Sequence, residues 1–216
     1  MVSEINTRSY RAGVASLRKS EKTRQAILDG AEEFLWSHPF RDLTVSQVTV
    51  LAGTGRSAFY QYFPDLYGLM ETLLNITRGE IFDAARPWLE EDAEPILRLQ
   101  ETLGGLVAIC YRHGPILRAI ADAAVADERL EEAWAGFIKD FEDVTTKRIE
   151  QQQALGLIPQ FAARPVAASL NRLNAAMMIA QFGRRPRGNL QDVREALVRI
   201  WVSTLYGADA LPASAE

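Results

Sequence analysis

Apolar side chains recur along the chain at intervals of three and four residues, which is the spacing of a helix face rather than of a strand. The first such stripe is formed by Ile27, Ala31, Phe34 and Leu35. Prolines separate the segments that keep this period, and Gly156 and Gly207 stand where two of these segments should stop. The pattern predicts an all-α protein of about nine helices, over roughly residues 20–37, 44–52, 56–62, 64 to beyond 77, 95–112, 115–126, 127–155, 164–182 and 189–206.

These predicted helices form two groups. The first three are short and close together, whereas those beyond Pro87 are long. No linker-like stretch separates the groups, so we place the boundary inside the fourth helix, near residue 68. The predicted organisation is a basic, disordered arm over 1–19, a small helical domain over 20–68 and a larger helical domain over 69–216.

Charge is distributed unevenly between these parts. The whole chain carries a formal charge of -4, but residues 1–25 carry six basic and two acidic side chains, and residues 69–216 carry 16 basic and 21 acidic ones. A basic head on an acidic body is compatible with an arm that contacts nucleic-acid phosphates and also with an inert, solvated tail. Sequence alone leaves both interpretations open.

The segment 44–63 has the spacing of a helix-turn-helix. Thr44 and Gln47 form a predicted capping box, and Gly53 and Gly55 provide a turn between two short helices. The side chains expected to pack this helix pair are Val48, Leu51, Phe59 and Phe63. The outward positions of the second helix would then face a DNA groove, with Arg56 at its start.

Several other classes of protein fit the sequence poorly. The single cysteine, Cys110, cannot form an internal disulfide. Together with the two histidines of the chain, His38 and His113, it gives too few ligands for a zinc cage. Neither histidine lies in a motif with a nucleophile or paired carboxylates, so we expect no enzyme, cofactor or metal site. The chain has no apolar stretch long enough to span a bilayer and no signal-peptide core, which favours a cytoplasmic protein without membrane contact.

Two alternatives to a ligand-responsive DNA-binding protein remain. One is an architectural DNA-binding protein, which would have no use for a large apolar second domain. The other is a helical small-molecule-binding protein or enzyme that does not use its helix-turn-helix for DNA.

Leu43 to Leu69 carries the signatures T-V-x-x-V, A-G and F-Y-x-Y-F-P, and in these it resembles the DNA-binding domain of the TetR family of bacterial transcriptional regulators. The remainder is similar to the ethionamide-repressor branch of that family, through EAWAGFIKDF (132–141), SLNRLNAAM (169–177) and RIWVSTLYG (199–207). The resemblance implies a homodimer built on the last two long helices. It also implies a repressor that a small hydrophobic effector releases from a palindromic double-stranded DNA operator.

The resemblance also maps candidate site residues onto this chain. The implied DNA contacts are Thr44, Ser46, Arg56, Ser57, Ala58, Tyr60 and Tyr62. The implied lining of a long apolar ligand tunnel is Leu99, Leu106, Cys110, Trp134, Ile138, Phe141, Thr145, Asn171, Asn174 and Trp201. Two positions depart from the family: Gly55 replaces a usual serine, and the triplet 65–67 lacks the usual phosphate-contacting lysine.

The spacing of residues in the sequence, without the family resemblance, supports part of this predicted lining. Positions 134, 138, 141 and 145 fall on one helical face, which is either core or pocket wall. Asn171 and Asn174 share a face with Met177 and Met178, and an amide among apolar neighbours needs a hydrogen-bond partner. We therefore expect these two amides to supply the polar anchor of the ligand.

Overall fold

The computed structural model describes residues 2–91 and 93–210, with side chains from residue 19 onward. Within these ranges the chain forms eight α-helices and no strand, which confirms the all-α prediction. The helices are α1 (Val2–Leu35), α2 (Val45–Leu51), α3 (Arg56–Tyr62), α4 (Leu66–Glu90), α5 (Pro95–Ala124), α6 (Glu128–Ala154), α7 (Ala163–Phe182) and α8 (Leu190–Tyr206). In the part of the chain so described, none of these helices is both long and apolar enough to cross a membrane.

The chain separates into two compact units, Met1–Met70 and Glu71–Glu216, whose boundary lies inside α4 and close to the predicted residue 68. The buried apolar side chains of unit 1 include Ile27, Leu28, Ala31, Leu35, Val48, Phe59, Phe63, Leu69 and Met70. A cluster in unit 2 includes Trp88, Leu99, Leu103, Ile149, Leu170, Trp201, Val202 and Leu205. Each unit therefore has buried apolar side chains of its own.

The N-terminus differs from the prediction. The backbone is helical from Val2, whereas we expected a disordered arm over 1–19 and a helix from about residue 20. Residues 2–19 contain no proline and one glycine, Gly13, so no strong helix breaker separates the arm from the helix that follows. The arginine side chains at positions 8, 11 and 18 lie outside the described side chains, and their contact with DNA stays a prediction.

Two of the predicted helices are one kinked helix, α5. The kink lies at His113, where φ is -107° and ψ is 18°, directly before Gly114 and Pro115. A Cβ at Gly114 would stand 2.2 Å from the carbonyl oxygen of Phe182, so only glycine allows the end of α7 to approach α5 this closely. The kink therefore occurs without a break in the helix, which explains why eight helices are found where nine were predicted.

The fourth helix also continues past Pro87, which lies inside α4. Proline removes one helical hydrogen bond, so a stop was the simpler expectation. Ile81 and Trp88, on either side of Pro87, are 5% and 2% exposed. Burial of these two side chains stabilises the last turns of α4 in spite of the lost hydrogen bond.

Most helix ends agree with the sequence signals. Asp127 Oδ1 accepts a hydrogen bond from the backbone N–H of Leu130, and Asn189 Oδ1 accepts one from the N–H of Gln191, so both residues cap helices. Gly156 and Gly207 adopt positive φ after α6 and α8. These caps fix where the long helices of unit 2 begin and end.

Candidate functional site

The helix pair α2–α3 in unit 1 begins with the predicted capping box. The backbone N–H of Gln47 donates to Thr44 Oγ1 at 3.2 Å, and the backbone N–H of Thr44 donates to Gln47 Oε1 at 2.8 Å. Thr44 therefore serves as the N-cap of α2.

A glycine turn then orients α3. Gly53 has φ of 61°, in the left-handed region that favours glycine, and the Thr54 N–H donates to the carbonyl of Thr49. Val48, Phe59 and Phe63 are buried as predicted. Leu51, in contrast, is 51% exposed. It is the last residue of α2, and its Cβ lies beside Gly30 of α1 while about half of the residue remains open to solvent. The prediction that Leu51 packs the helix pair was wrong.

The outward surface of this pair carries most of the candidate DNA contacts. Thr44, Ser46, Arg56, Ser57 and Tyr60 are exposed, whereas Ala58 and Tyr62 are partly buried. The Tyr62 hydroxyl lies 3.1 Å from the hydroxyl of Ser20 on α1, so it helps to hold α3 in place. Tyr60 is 52% exposed and presents its ring and hydroxyl to solvent. The surface is thus a short helix with one cation and small or phenolic side chains, which suits contacts to phosphates and base edges.

All ten candidate ligand residues line a single pocket in unit 2. The empty space among these residues amounts to about 770 Å³, including the part that is open to solvent. Helices α4, α5, α6, α7 and α8 all contribute to it. The residues that the sequence analysis did not assign to this lining are Ile81, Ala85, Trp88, Leu89, Thr102, Leu103, Leu117, Phe137, Val144, Ala175 and Met178.

The lining contains no Asp, Glu, Lys or Arg side chain. Its few polar groups include the hydroxyls of Thr102 and Thr145, the two amides and the Cys110 thiol. Burial raises the pKa of the Cys110 thiol to about 12, so this group stays protonated at neutral pH. The pocket is therefore apolar and uncharged, with hydrogen-bonding groups at a few points.

The two amides of α7 have different roles in this lining. Asn174 is 7% exposed, and its Oδ1 accepts a hydrogen bond from Trp201 Nε1 at 2.9 Å. Because Trp201 occupies this oxygen, Nδ2 is the group that Asn174 can direct to a ligand. Asn171 instead uses Nδ2, which donates to the carbonyl of Ala167 at 2.9 Å and to Thr145 Oγ1 at 3.1 Å. The pocket can thus offer a donor from Asn174 and an acceptor from Asn171.

Trp88 is the largest lining residue that the sequence reasoning missed. Its ring meets the edge of Trp201 at a centroid distance of 5.9 Å, and its Nε1 donates to the hydroxyl of Tyr206 at 3.0 Å. The side-chain amide of Gln152 lies 2.7 Å from that hydroxyl, to which its N–H donates. Positions 81, 85, 88 and 89 keep a helical period, and this signal could have extended the helix through Pro87 and assigned Trp88 to the wall.

The described residues show no arrangement typical of an enzyme or metal centre. His113 Nε2 lies 3.7 Å from Glu80 Oε2 and His38 Nδ1 lies 3.3 Å from the carbonyl of Phe34, so each histidine contacts a group of its own unit. No group of three or more metal-binding side chains occurs in this part of the chain. The two units provide an exposed helix-turn-helix and an uncharged pocket, and these are the features of a ligand-binding helix-turn-helix regulator.

Comparison with known proteins identifies the family. The family described as "Bacterial regulatory proteins, tetR family" matches residues 27–73, and "Transcriptional regulator EthR, C-terminal domain" matches residues 99–207. The chain therefore belongs to the TetR family of transcriptional regulators and carries a C-terminal domain of the EthR type. It is a ligand-responsive, DNA-binding regulator and not an enzyme.

Individual relatives agree over nearly the whole chain. The HTH-type transcriptional regulator EthR of Mycobacterium tuberculosis is 28% identical over 215 residues, which cover 91% of this chain and 96% of that protein. A TetR-family regulator from Rhodococcus sp. has the same fold, with a TM-score of 0.67, 22% identity and coverage of 86% and 99%. The structure of a SmeT–triclosan complex matches with a TM-score of 0.73, 16% identity and coverage of 89% and 96%.

Proposed function

We propose that this protein is a homodimeric repressor that binds a palindromic operator and is released by an uncharged, largely apolar, elongated effector. The observation that carries the effector part is the pocket, whose lining has no charged side chain and includes the amides of Asn171 and Asn174. Burial of an unpaired ligand charge there would cost several kcal/mol, so a neutral molecule is favoured.

The polar anchor of this effector follows from the two amides. Asn174 Nδ2 faces the ligand as a donor because Trp201 occupies its carbonyl oxygen. Asn171 can offer only its Oδ1, since its Nδ2 is already bonded to Ala167 and Thr145. A carbonyl on the ligand accepts a hydrogen bond from Asn174 Nδ2. An amide on the ligand can in addition donate one to Asn171 Oδ1. Among proteins of the same fold, the SmeT structure holds triclosan, a small molecule.

The operator part rests on the exposed face of α2 and α3. In a twofold dimer, two copies of α3 enter the major groove about 34–36 Å apart, or at a multiple of that distance. Selection of binding sites from a pool of random DNA duplexes should therefore yield an inverted repeat, and the protein should be a dimer at micromolar concentration. A monomeric protein, or a selected site without twofold symmetry, would contradict the proposal.

Arg56 is the candidate that reads sequence, because it is the first residue of α3 and is exposed. If Arg56 pairs with a guanine, Arg56→Ala should cost about 1–3 kcal/mol and relax the preference at one position in each half-site. Binding to the selected duplex and to single-base variants of it, measured by fluorescence anisotropy, checks this.

Two control variants separate base reading from general weakening. Arg41→Ala removes an exposed cation of unit 1 that lies outside α2 and α3, and it should leave the preference unchanged. Tyr62→Phe should weaken binding about equally on all sequences. An Arg56→Ala protein that keeps its full base preference would exclude Arg56 from base recognition.

A further inference from the structure

A second, polar cleft lies between the beginnings of α4 and α6 within unit 2. Its apolar floor is formed by Leu74 and Phe137, which are 4% and 5% exposed. The empty space of the cleft amounts to about 740 Å³, including the part that is open to solvent. Its lining is completed by Glu71, Asn75, Arg78, Arg129, Glu132, Ala133 and Gly136.

Salt bridges join the two helices along this cleft. Arg129 Nη2 lies 3.5 Å from Glu71 Oε1, and Arg78 Nη1 lies 2.7 Å from Asp140 Oδ2. Between these pairs the α6 wall includes two small residues, Ala133 and Gly136, and a Cβ at Gly136 would meet no atom within 4 Å. The pairs connect α4 to α6, while the small side chains leave space between the helices.

Phe137 belongs to the cleft and to the effector pocket at once. Its ring stacks on Trp134 at a centroid distance of 5.4 Å and meets the edge of Phe141 at 5.1 Å, and both of those rings line the pocket. Phe137 is the one residue that the two linings share. Rotation of its ring would open a connection between the two spaces.

We propose that the α4–α6 cleft is the entry site of the effector and that Phe137 is its gate. The effector first lies on Leu74 and Phe137, with polar groups near Asn75 and Glu132, and passes into the pocket when the Phe137 ring moves. Both arginines of the cleft have carboxylate partners, and Glu132 adds a further carboxylate, so the cleft disfavours anionic molecules, in agreement with an effector that carries no negative charge. This inference rests on the proposed function, because an entrance requires a pocket that is filled.

Stopped-flow kinetics with the uncharged dye Nile red test the proposal. Gly136→Trp places an indole in the cleft without altering the lining of the pocket, and it replaces a poor helix former within α6. An obstacle on the entry route that does not touch the bound ligand slows association and dissociation by the same factor. The expected result is an equal-fold decrease of both rate constants with an unchanged Kd.

Matched controls are Ala135→Trp, which adds the same bulk at an exposed neighbouring position outside the cleft, and Gly136→Ala, which adds one methyl group. Both should keep the rates of the wild type. Leu106→Trp, which fills the pocket itself, should abolish the dye signal. Wild-type rates in the Gly136→Trp protein would overturn the entry site alone, and a dye signal that Leu106→Trp leaves intact would overturn both the pocket and its entrance.

Discussion

Phe59→Ala is expected to abolish DNA binding while effector binding in unit 2 persists. Phe59 is fully buried in unit 1, where it contacts Phe63 with a ring-centroid distance of 5.7 Å. Truncation of a buried phenylalanine to alanine costs about 3–5 kcal/mol, a large fraction of the stability of a small domain. Because Phe59 lies on α3, the helix-turn-helix should lose its fixed geometry.

The measurement is thermal unfolding together with two binding assays, one with the selected DNA duplex and one with Nile red. Tyr60→Ala provides the matched control, since it removes an aromatic ring from the same helix at a position that is 52% exposed. That control should unfold like the wild type, even where it weakens DNA binding. Simultaneous loss of dye binding in the Phe59→Ala protein would show that unit 2 does not keep its pocket when unit 1 unfolds.

Local signals in the sequence predicted the helix-turn-helix well. The capping box of Thr44 and Gln47, the left-handed Gly53 and the burial of Phe59 each depend on neighbours within a few residues. Such features can be predicted from sequence because propensity and tertiary packing favour the same structure. Leu51 also fits the helical period, but it is the last residue of α2. Its Cβ lies beside Gly30, which has no side chain that could pack against it.

The errors in the long helices have a different cause. Pro87 and Pro115 were interpreted as helix boundaries, and both lie inside helices of the structure. Whether a proline ends a helix or bends it depends on what the next turn buries. Trp88 and Ile116 are both buried after these prolines, and Trp88 contacts Trp201 and Tyr206, which are distant in sequence. Proline itself carries no information about those contacts.

The pocket residues were predicted mainly from family resemblance. Periodicity alone assigned Trp134, Ile138, Phe141 and Thr145 to one face and could not separate a core from a pocket wall. The structure brings all ten positions around one space, and their role in ligand binding stays a prediction. The distinct roles of Asn171 and Asn174 were also not predictable, because the partner that distinguishes them, Trp201, lies 27 positions beyond Asn174.

Asn174→Leu should reduce effector affinity by about 1–3 kcal/mol, which is very roughly 5- to 150-fold, because the polar group of the ligand loses its donor. The same change leaves Trp201 Nε1 as a buried donor without its acceptor, so it should also lower the stability of unit 2. Thermal unfolding of the Asn174→Leu protein measures this structural cost separately from effector affinity.

The decisive measurement is a titration of preformed protein–DNA complex with an apolar amide effector. Affinity for DNA without effector should be almost unchanged in the Asn174→Leu protein, because Asn174 lies in unit 2 and the helix-turn-helix lies in unit 1. Effector affinity and release from DNA are linked reciprocally, so the variant should need correspondingly more effector to dissociate. Coincident release curves for wild type and variant would exclude Asn174 from the site, and a stronger response to a compact, charged effector would contradict the apolar pocket itself.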